Sequence, residues 1–207
     1  MRDALDIVHE SARFVVVNKP SGLLSVPGKV ERPDLATRIG EAFPRATGPL
    51  VVHRLDMDTS GLIVFALDPD AHRHLSRQFE CRLIEKAYVA LLDGDVEGDR
   101  GEVHLPIRPD IDHRPLQIVD HVHGKPSVTR WSVRARDRDH TRVDLEPLTG
   151  RTHQLRVHMA SGLGHPIAGD DLYGGSTAPR LMLHASRIRF VDPATDRRVE
   201  YDSTPDF

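Results

Sequence analysis

GLIVFALDPDAHRHLSRQFE, residues 61–80, passes from large and β-branched apolar side chains straight into a helical pattern. KAYVALL at 86–92 follows with a second apolar run. Leu62 to Leu67 reads as a buried strand. Asp68-Pro69 opens a helix, because proline at the first helical position lacks only an N–H that would have no partner there. Ala71, Leu75 and Phe79 then recur on one face to about Glu80. Upstream, RFVVVN at 13–18 reads as a strand that ends in the turn signal Lys19-Pro20-Ser21-Gly22. Pro33-Asp34 starts a short helix through Leu35, Ile39 and Phe43, stopped by Pro44. Downstream, residues 93–125 turn to Gly, Pro, Asp and His, with strand-like pieces such as Gln117-Ile118-Val119, and read as hairpins and mobile loops. Val128–Val133 and Thr141–Leu145 alternate as antiparallel strands do. Gly150 to about Ser161 reads as loop then helix, and Leu181–Phe190 as strand. Strands with interspersed helices and no regular βαβ rhythm predict an α+β fold with a mixed, mainly antiparallel sheet flanked by helices. At 207 residues, the chain is expected to form a single domain over 1–207.

Composition narrows the function classes. Hydrophobic residues make up 39% and charged residues 29%, which suits a globular chain and not a disordered one. The longest apolar run, Leu62 to Leu67, falls far short of the roughly 20 residues of a membrane span. Asp3, Asp6 and Glu10 stand where an export signal wants a basic start, so the expected location is the cytoplasm, with no membrane partner. One cysteine, Cys81, fits a reducing compartment and is expected to be a small packed hydrophobe. The net charge of −3 does not announce a nucleic-acid binder, but RNA affinity depends on local patches. Of 28 basic residues only Lys19, Lys29, Lys86 and Lys125 are lysines, and arginine's planar fork suits phosphates and base edges.

Three segments concentrate polar groups that a plain core would not choose. VVHRLDMDTSG at 51–61 crowds them between two apolar strands, although an Asp beside an Arg is by itself usually a surface ion pair. Tyr88 sits in the apolar strand 86–92, where a packed ring with a satisfied hydroxyl is the ordinary reading. GRTHQLRVHM at 150–159 sets Leu155 and Met159 on one helix face, with Arg156 at its border, where its head can turn into a cleft.

Taken together, the sequence resembles the RluA-type pseudouridine synthases along nearly its whole length. HRLDMDTSG (53–61) is similar to that family's catalytic motif, GRTHQLRVHM (150–159) to its arginine motif, and EKAYVALL (85–92) to its tyrosine segment. NKPSGLLSVPG (18–28), GKPSVT (124–129), HPIAGDDLYG (165–174) and LMLHA (181–185) match in the same order. The resemblance implies a pseudouridine-synthase-like catalytic domain with RNA-binding loops. It makes Asp56 the catalytic carboxylate, Tyr88 the ring that packs on the target base, and Arg156 the partner of Asp56. Leu183 walls the pocket and Arg54 fills the gap left by the flipped uridine. His53, Arg151, His113 and Arg114 lie in the matched blocks and are expected to contact RNA. NKPSGLLSVPG and HRPLQIV (113–119), with no S4-like extension in view, lean toward the small type acting on a tRNA anticodon stem-loop, a 23S rRNA loop or both; the alternative is the same chemistry on a different rRNA or tRNA uridine.

The chemistry suits these residue types. The reaction breaks N1–C1′, turns the uracil and rejoins it through C5, so no cofactor is expected. Extruding the base costs a few kcal/mol. An ionised Asp56 serves as nucleophile or base, and a nearby arginine keeps it charged where burial alone raises its pKa. Rival readings fit less well. A metallohydrolase would need more than His53, His153, His158, His165 and His184: HExxH and paired cysteines are missing, and His153 and His158 point to different helix faces, so no metal is expected. A glycosidase using Asp56 and Asp58 would have its two carboxylates on opposite faces of an extended segment. A non-catalytic RNA-binding module leaves the co-occurrence of Asp56, Tyr88 and Arg156 unexplained. No obligate protein partner is indicated.

Overall fold

The computed structural model describes residues 5–207, so Asp3 lies outside it. In chain order the elements are β1 (Ile7–Glu10), β2 (Phe14–Lys19), α1 (Leu35–Ala42), β3 (Ser60–Ala66), α2 (Pro69–Glu80) and β4 (Glu85–Asp93). There follow β5 (Arg100–His104), β6 (Ile107–Pro109), β7 (Gln117–Val119), β8 (Val128–Arg136) and β9 (His140–Pro147). The chain ends with α3 (Gln154–Val157), a π-helical turn (His158–Leu163), β10 (Leu183–Val191) and β11 (Arg198–Asp202). The chain forms two compact units, one of the described residues up to 86 with 184–206 and one of 87–183 with Phe207.

In the first unit β1, β2 and β3 pair antiparallel in that order, β10 runs parallel to β3, and β11 closes antiparallel on β10. Every residue of β3 is buried, as its continuous apolar run demands. Gly61 in that strand has φ 108°, and a Cβ there would collide with the backbone of Ala185, so the parallel approach of β10 requires glycine. Both helices start as their sequences predict. Asp34 caps α1 by accepting from Thr37 N–H at 2.9 Å, and Asp68 caps α2 through the N–H groups of Asp70 and Ala71, with Pro69 at the first position. Ala71 and Leu75 of α2 join Phe14, Val16, Leu62, Val64, Ile188 and Phe190 in this unit's core.

In the second unit β4, β9, β8 and β5 pair antiparallel in that order, and β6 and β7 form a separate short hairpin. The core gathers Ala90, Leu92, Trp131, Val143, Leu145, Leu155, Met159, Ile167 and Leu183. Gly169 has φ 78° and lies so close to the carbonyl of Arg180 that no side chain fits. The fold is α+β with a mixed sheet.

Cys81 departs from its expectation: it is exposed, because it is the residue that ends α2, past the helix's buried face.

Candidate active site

The loop Leu55–Thr59 carries Asp56, and an earlier segment grips its backbone. Lys19 Nζ donates to the Met57 carbonyl at 2.7 Å and to the carbonyls of Pro20 and Leu23 at 2.9 and 2.7 Å. Gly22 N–H also donates to Met57 O, and Ser21 Oγ donates to Asp58 O. Ser25 Oγ donates to Leu55 O at 2.7 Å and accepts from Leu55 N–H at 3.1 Å. Thr59 N–H closes the turn on Asp56 O. NKPSGLLS is thus a clamp that fixes the carboxylate's backbone while leaving its side chain half-buried. Lys19 is 1% exposed; burial pulls its ammonium down to about 8, and the charges of Asp58 and Asp56 oppose that fall. A cation is therefore held close to both acids of the loop, a role that spacing alone did not reveal.

The neighbours of Asp56 differ in kind. Arg54 is exposed and makes no hydrogen bond or ion pair among the described residues, so it is not tied to Asp58. His53 stacks on Phe79 with ring centroids 4.4 Å apart, and its Nε2 accepts the Val64 N–H at 3.0 Å. That acceptor role fixes the proton on Nδ1. Burial first, and then the positive Lys86, hold the imidazole neutral down to about pH 3. His53 thus anchors the loop to β3 and α2. Behind the loop, Ser60 Oγ shares a 2.9 Å hydrogen bond with Nδ1 of His184, whose Nε2 meets Ser203 Oγ at 3.1 Å.

In the second unit, Tyr88 packs against the cluster that contains Leu183, Leu155 and Met159, so the tyrosine and the leucine expected around the base reach one apolar surface. Arg156, expected at a helix border, is 2% exposed. Its Nε and Nη2 donate to the two oxygens of Asp170 at 2.8 and 2.6 Å, and Asp170 is itself fully buried. Asp170 also accepts from the N–H groups of Leu172 and Tyr173, which saturates the carboxylate within its own turn. The Tyr173 ring lies 5.3 Å from the guanidinium. Sequence reading missed both partners; the signal was available in the GDDLYG block, where an acid and an aromatic sit three residues apart.

The remaining candidates also fall in this unit. Gln154 orders the arginine motif: its Oε1 accepts from Thr149 Oγ1 and Arg151 N–H, and its Nε2 donates to Val128 O and Thr129 Oγ1. Among the described residues, the Arg151 guanidinium reaches only the Pro126 carbonyl, at 3.4 Å. His158 is buried against Ser127 Oγ at 2.9 Å, and burial lowers its pKa. His113 and Arg114 are exposed at the tip between β6 and β7, His113 bonded to Asp110 at 3.1 Å and Arg114 without a bonding partner among the described residues. Among the described residues no three His, Cys, Asp or Glu side chains converge as a metal site.

With this geometry in place, comparison with known proteins is direct. Residues 13–161 match the family described as RNA pseudouridylate synthase. The chain is 47% identical over 210 aligned residues to the dual-specificity RNA pseudouridine synthase RluA of Pasteurella multocida, covering 98% of this chain and 94% of that one. Against the Escherichia coli protein of that description the identity is 45% with the same coverage. Among solved structures, human RNA pseudouridylate synthase domain containing 1 aligns with a TM-score of 0.82 at 34% identity, over 99% of this chain and 85% of that one. The human domain containing 4 protein aligns with a TM-score of 0.75 at 25% identity, over 96% and 87%.

Proposed function

The chain belongs to the RNA pseudouridylate synthase family, and from that premise we propose that Asp56 is the carboxylate with which it isomerises uridine in RNA. The activity is that of an RNA pseudouridine synthase, an isomerase. The observation that carries the assignment to Asp56 is the clamp. Bonds from Lys19, Ser21, Gly22 and Ser25 converge on the backbone of residues 55–58, and a buried ammonium is held beside Asp56 and Asp58. Such preorganisation suits a group that must stay ionised and correctly aimed in a partly desolvated place.

Around that carboxylate, the family resemblance supports a division of labour. Tyr88 receives the face of the target base and Leu183 walls its pocket. By the same resemblance, Arg156 is the residue that keeps Asp56 charged through the reaction. Arg54 substitutes for the extruded uridine in the stack, while Arg151, His113 and Arg114 meet the backbone of the RNA. The substrates are stem-loops of tRNA and of 23S rRNA, in keeping with the dual specificity named for the bacterial relatives. The reaction takes place in the cytoplasm; no helix among the described residues is long and apolar enough to cross a membrane.

Asp56→Asn tests the central assignment. It keeps the shape of the side chain and removes its charge, so tritium release from RNA carrying [5-³H]uridine should fall below detection while RNA binding and the melting temperature persist. Sustained turnover by pure Asp56→Asn protein would show that another group performs the chemistry.

A further inference from the structure

Three parts of the second unit end on Tyr173. Its hydroxyl accepts the backbone N–H of Gln117, the first residue of β7, at 2.9 Å. The same oxygen shares a 2.8 Å hydrogen bond with Nδ1 of His153. The ring lies against the Arg156 guanidinium, 5.3 Å from centroid to Cζ, and Asp170 of the same turn holds that guanidinium with both oxygens. The β6–β7 hairpin, the residue that opens α3, and Arg156 are therefore joined through one side chain.

Each of these parts depends on outside support. The hairpin pairs three residues with three, too few to hold a ribbon by themselves. Its tip carries His113 and Arg114 and exposes Ile111 at 70%. His153 has φ 53°, the left-handed region that a histidine enters only when its surroundings hold it. Arg156 is buried beside an acid and can change orientation only if the turn that carries Asp170 and Tyr173 moves with it.

We propose that Tyr173 is a positioning residue that couples the seating of RNA on the β6–β7 hairpin to the orientation of Arg156. The inference rests on the RNA reading above. Load on the hairpin tip displaces β7 and with it the Gln117 N–H. The Tyr173 hydroxyl follows, and the ring passes the displacement to the guanidinium it covers. Such coupling is reciprocal, so fixing Arg156 also steadies the hairpin for RNA.

Tyr173→Phe isolates the hydroxyl, because the ring over Arg156 and the turn around Asp170 remain. At saturating RNA, its single-turnover rate should fall about tenfold, the worth of one well-placed hydrogen bond, with a melting temperature close to that of the wild type. In the wild type, adding RNA should shift the Arg156 Nε–H resonance in the NMR spectrum; in Tyr173→Phe that shift should disappear. Arg114→Ala supplies a second readout: it should lower the saturating rate in the wild type, yet lower only affinity in the Tyr173→Phe background. His153→Asn suits the left-handed backbone and removes the ring partner, so it should reproduce the uncoupling. An RNA-induced shift of Arg156 that survives Tyr173→Phe overturns the inference. So does an Arg114→Ala rate effect of the same factor in both backgrounds. A wild-type protein that forms no pseudouridine on any RNA would instead overturn the functional reading itself.

Discussion

Burial decides protonation at single residues here, and His53 shows it most clearly. Its Nε2 is committed to the Val64 N–H and its face to Phe79, so the ring is useful only while neutral. In the folded protein its pKa lies near 3, whereas an unfolded histidine titrates at 6.5. The unfolded chain therefore binds the extra proton between those values, and stability is lost as pH falls through that window. The steepest slope from one such group is about 1.4 kcal/mol per pH unit, reduced because His53 as a residue is only half-buried. His53→Gln keeps an acceptor for Val64 N–H but cannot titrate. It should be less stable than the wild type at pH 7 and show a flatter decline from pH 6 to pH 4. Urea midpoints measured across that range check it; equal slopes for the two proteins would show that other groups govern acid unfolding. The same commitment changes how HRLD is understood: the histidine secures the loop, the arginine is exposed with no partner among the described residues, and the aspartate is presented.

At the scale of elements, the parts legible in the sequence were those whose cause is local. Asp34 and Asp68 cap α1 and α2 as their positions suggest, and the apolar run at 62–67 is buried throughout, as strand to Ala66 and a bend at Leu67. β1, β5 and β11 escaped notice because short strands such as IVHE, RGEVH and RVEYD mix charge with few apolar residues and show no sustained alternation of their own. Leu155 and Met159 are both buried, as one helix face requires, yet the backbone leaves the α-helix at His158 for a π turn that a 3.6-residue period cannot reveal. Site chemistry divides along the same line. Asp56 and Arg156 were found through motif resemblance, but Lys19 reaches Met57 across 38 residues and Arg156 reaches Asp170 across 14, distances over which side-chain bonding leaves no periodic trace. The arginine's pairing has a measurable weight. Asp170→Asn preserves volume and deprives a buried guanidinium of the carboxylate that holds it at two points, a loss of about 3–5 kcal/mol by the behaviour of broken buried pairs. Chemical denaturation should register that loss. A change below about 1 kcal/mol, the range of a surface pair, would mean that the pair is not held as tightly as its geometry implies.

Across the whole molecule the question is how a chain of net charge −3 holds a polyanion. The arrangement of ion pairs gives an answer, because many arginines are already neutralised by neighbours. Arg187 and Arg189 on β10 pair with Glu85, Glu200 and Asp202, Arg13 with Asp68, Arg130 with Glu102, and Arg134 with Asp144. Arg54 and Arg114 are exposed and have no such acid among the described residues. Phosphate contacts release counterions, so each one contributes about one unit to the slope of log affinity against log salt. Three substitutions should then behave in three ways. Arg187→Gln removes a cation already paired and should leave both slope and rate unchanged. Arg114→Ala should weaken binding to all RNAs alike and reduce the slope by about one, while the coupling through Tyr173 also lowers its saturating rate. Arg54→Ala should leave the slope nearly unchanged, since a guanidinium stacked in the gap left by a flipped base contributes through its planar face. Its defect should appear in the single-turnover rate and should shrink when the target uridine lies in an unstacked or mismatched loop, where extrusion costs less. Binding isotherms from 50 to 200 mM salt, with single-turnover rates on matched stem-loops, separate the three. A constant ratio of Arg54→Ala to wild-type rate across stacked and unstacked loops, together with a slope lowered by one, would make Arg54 a phosphate contact and leave base extrusion to other residues.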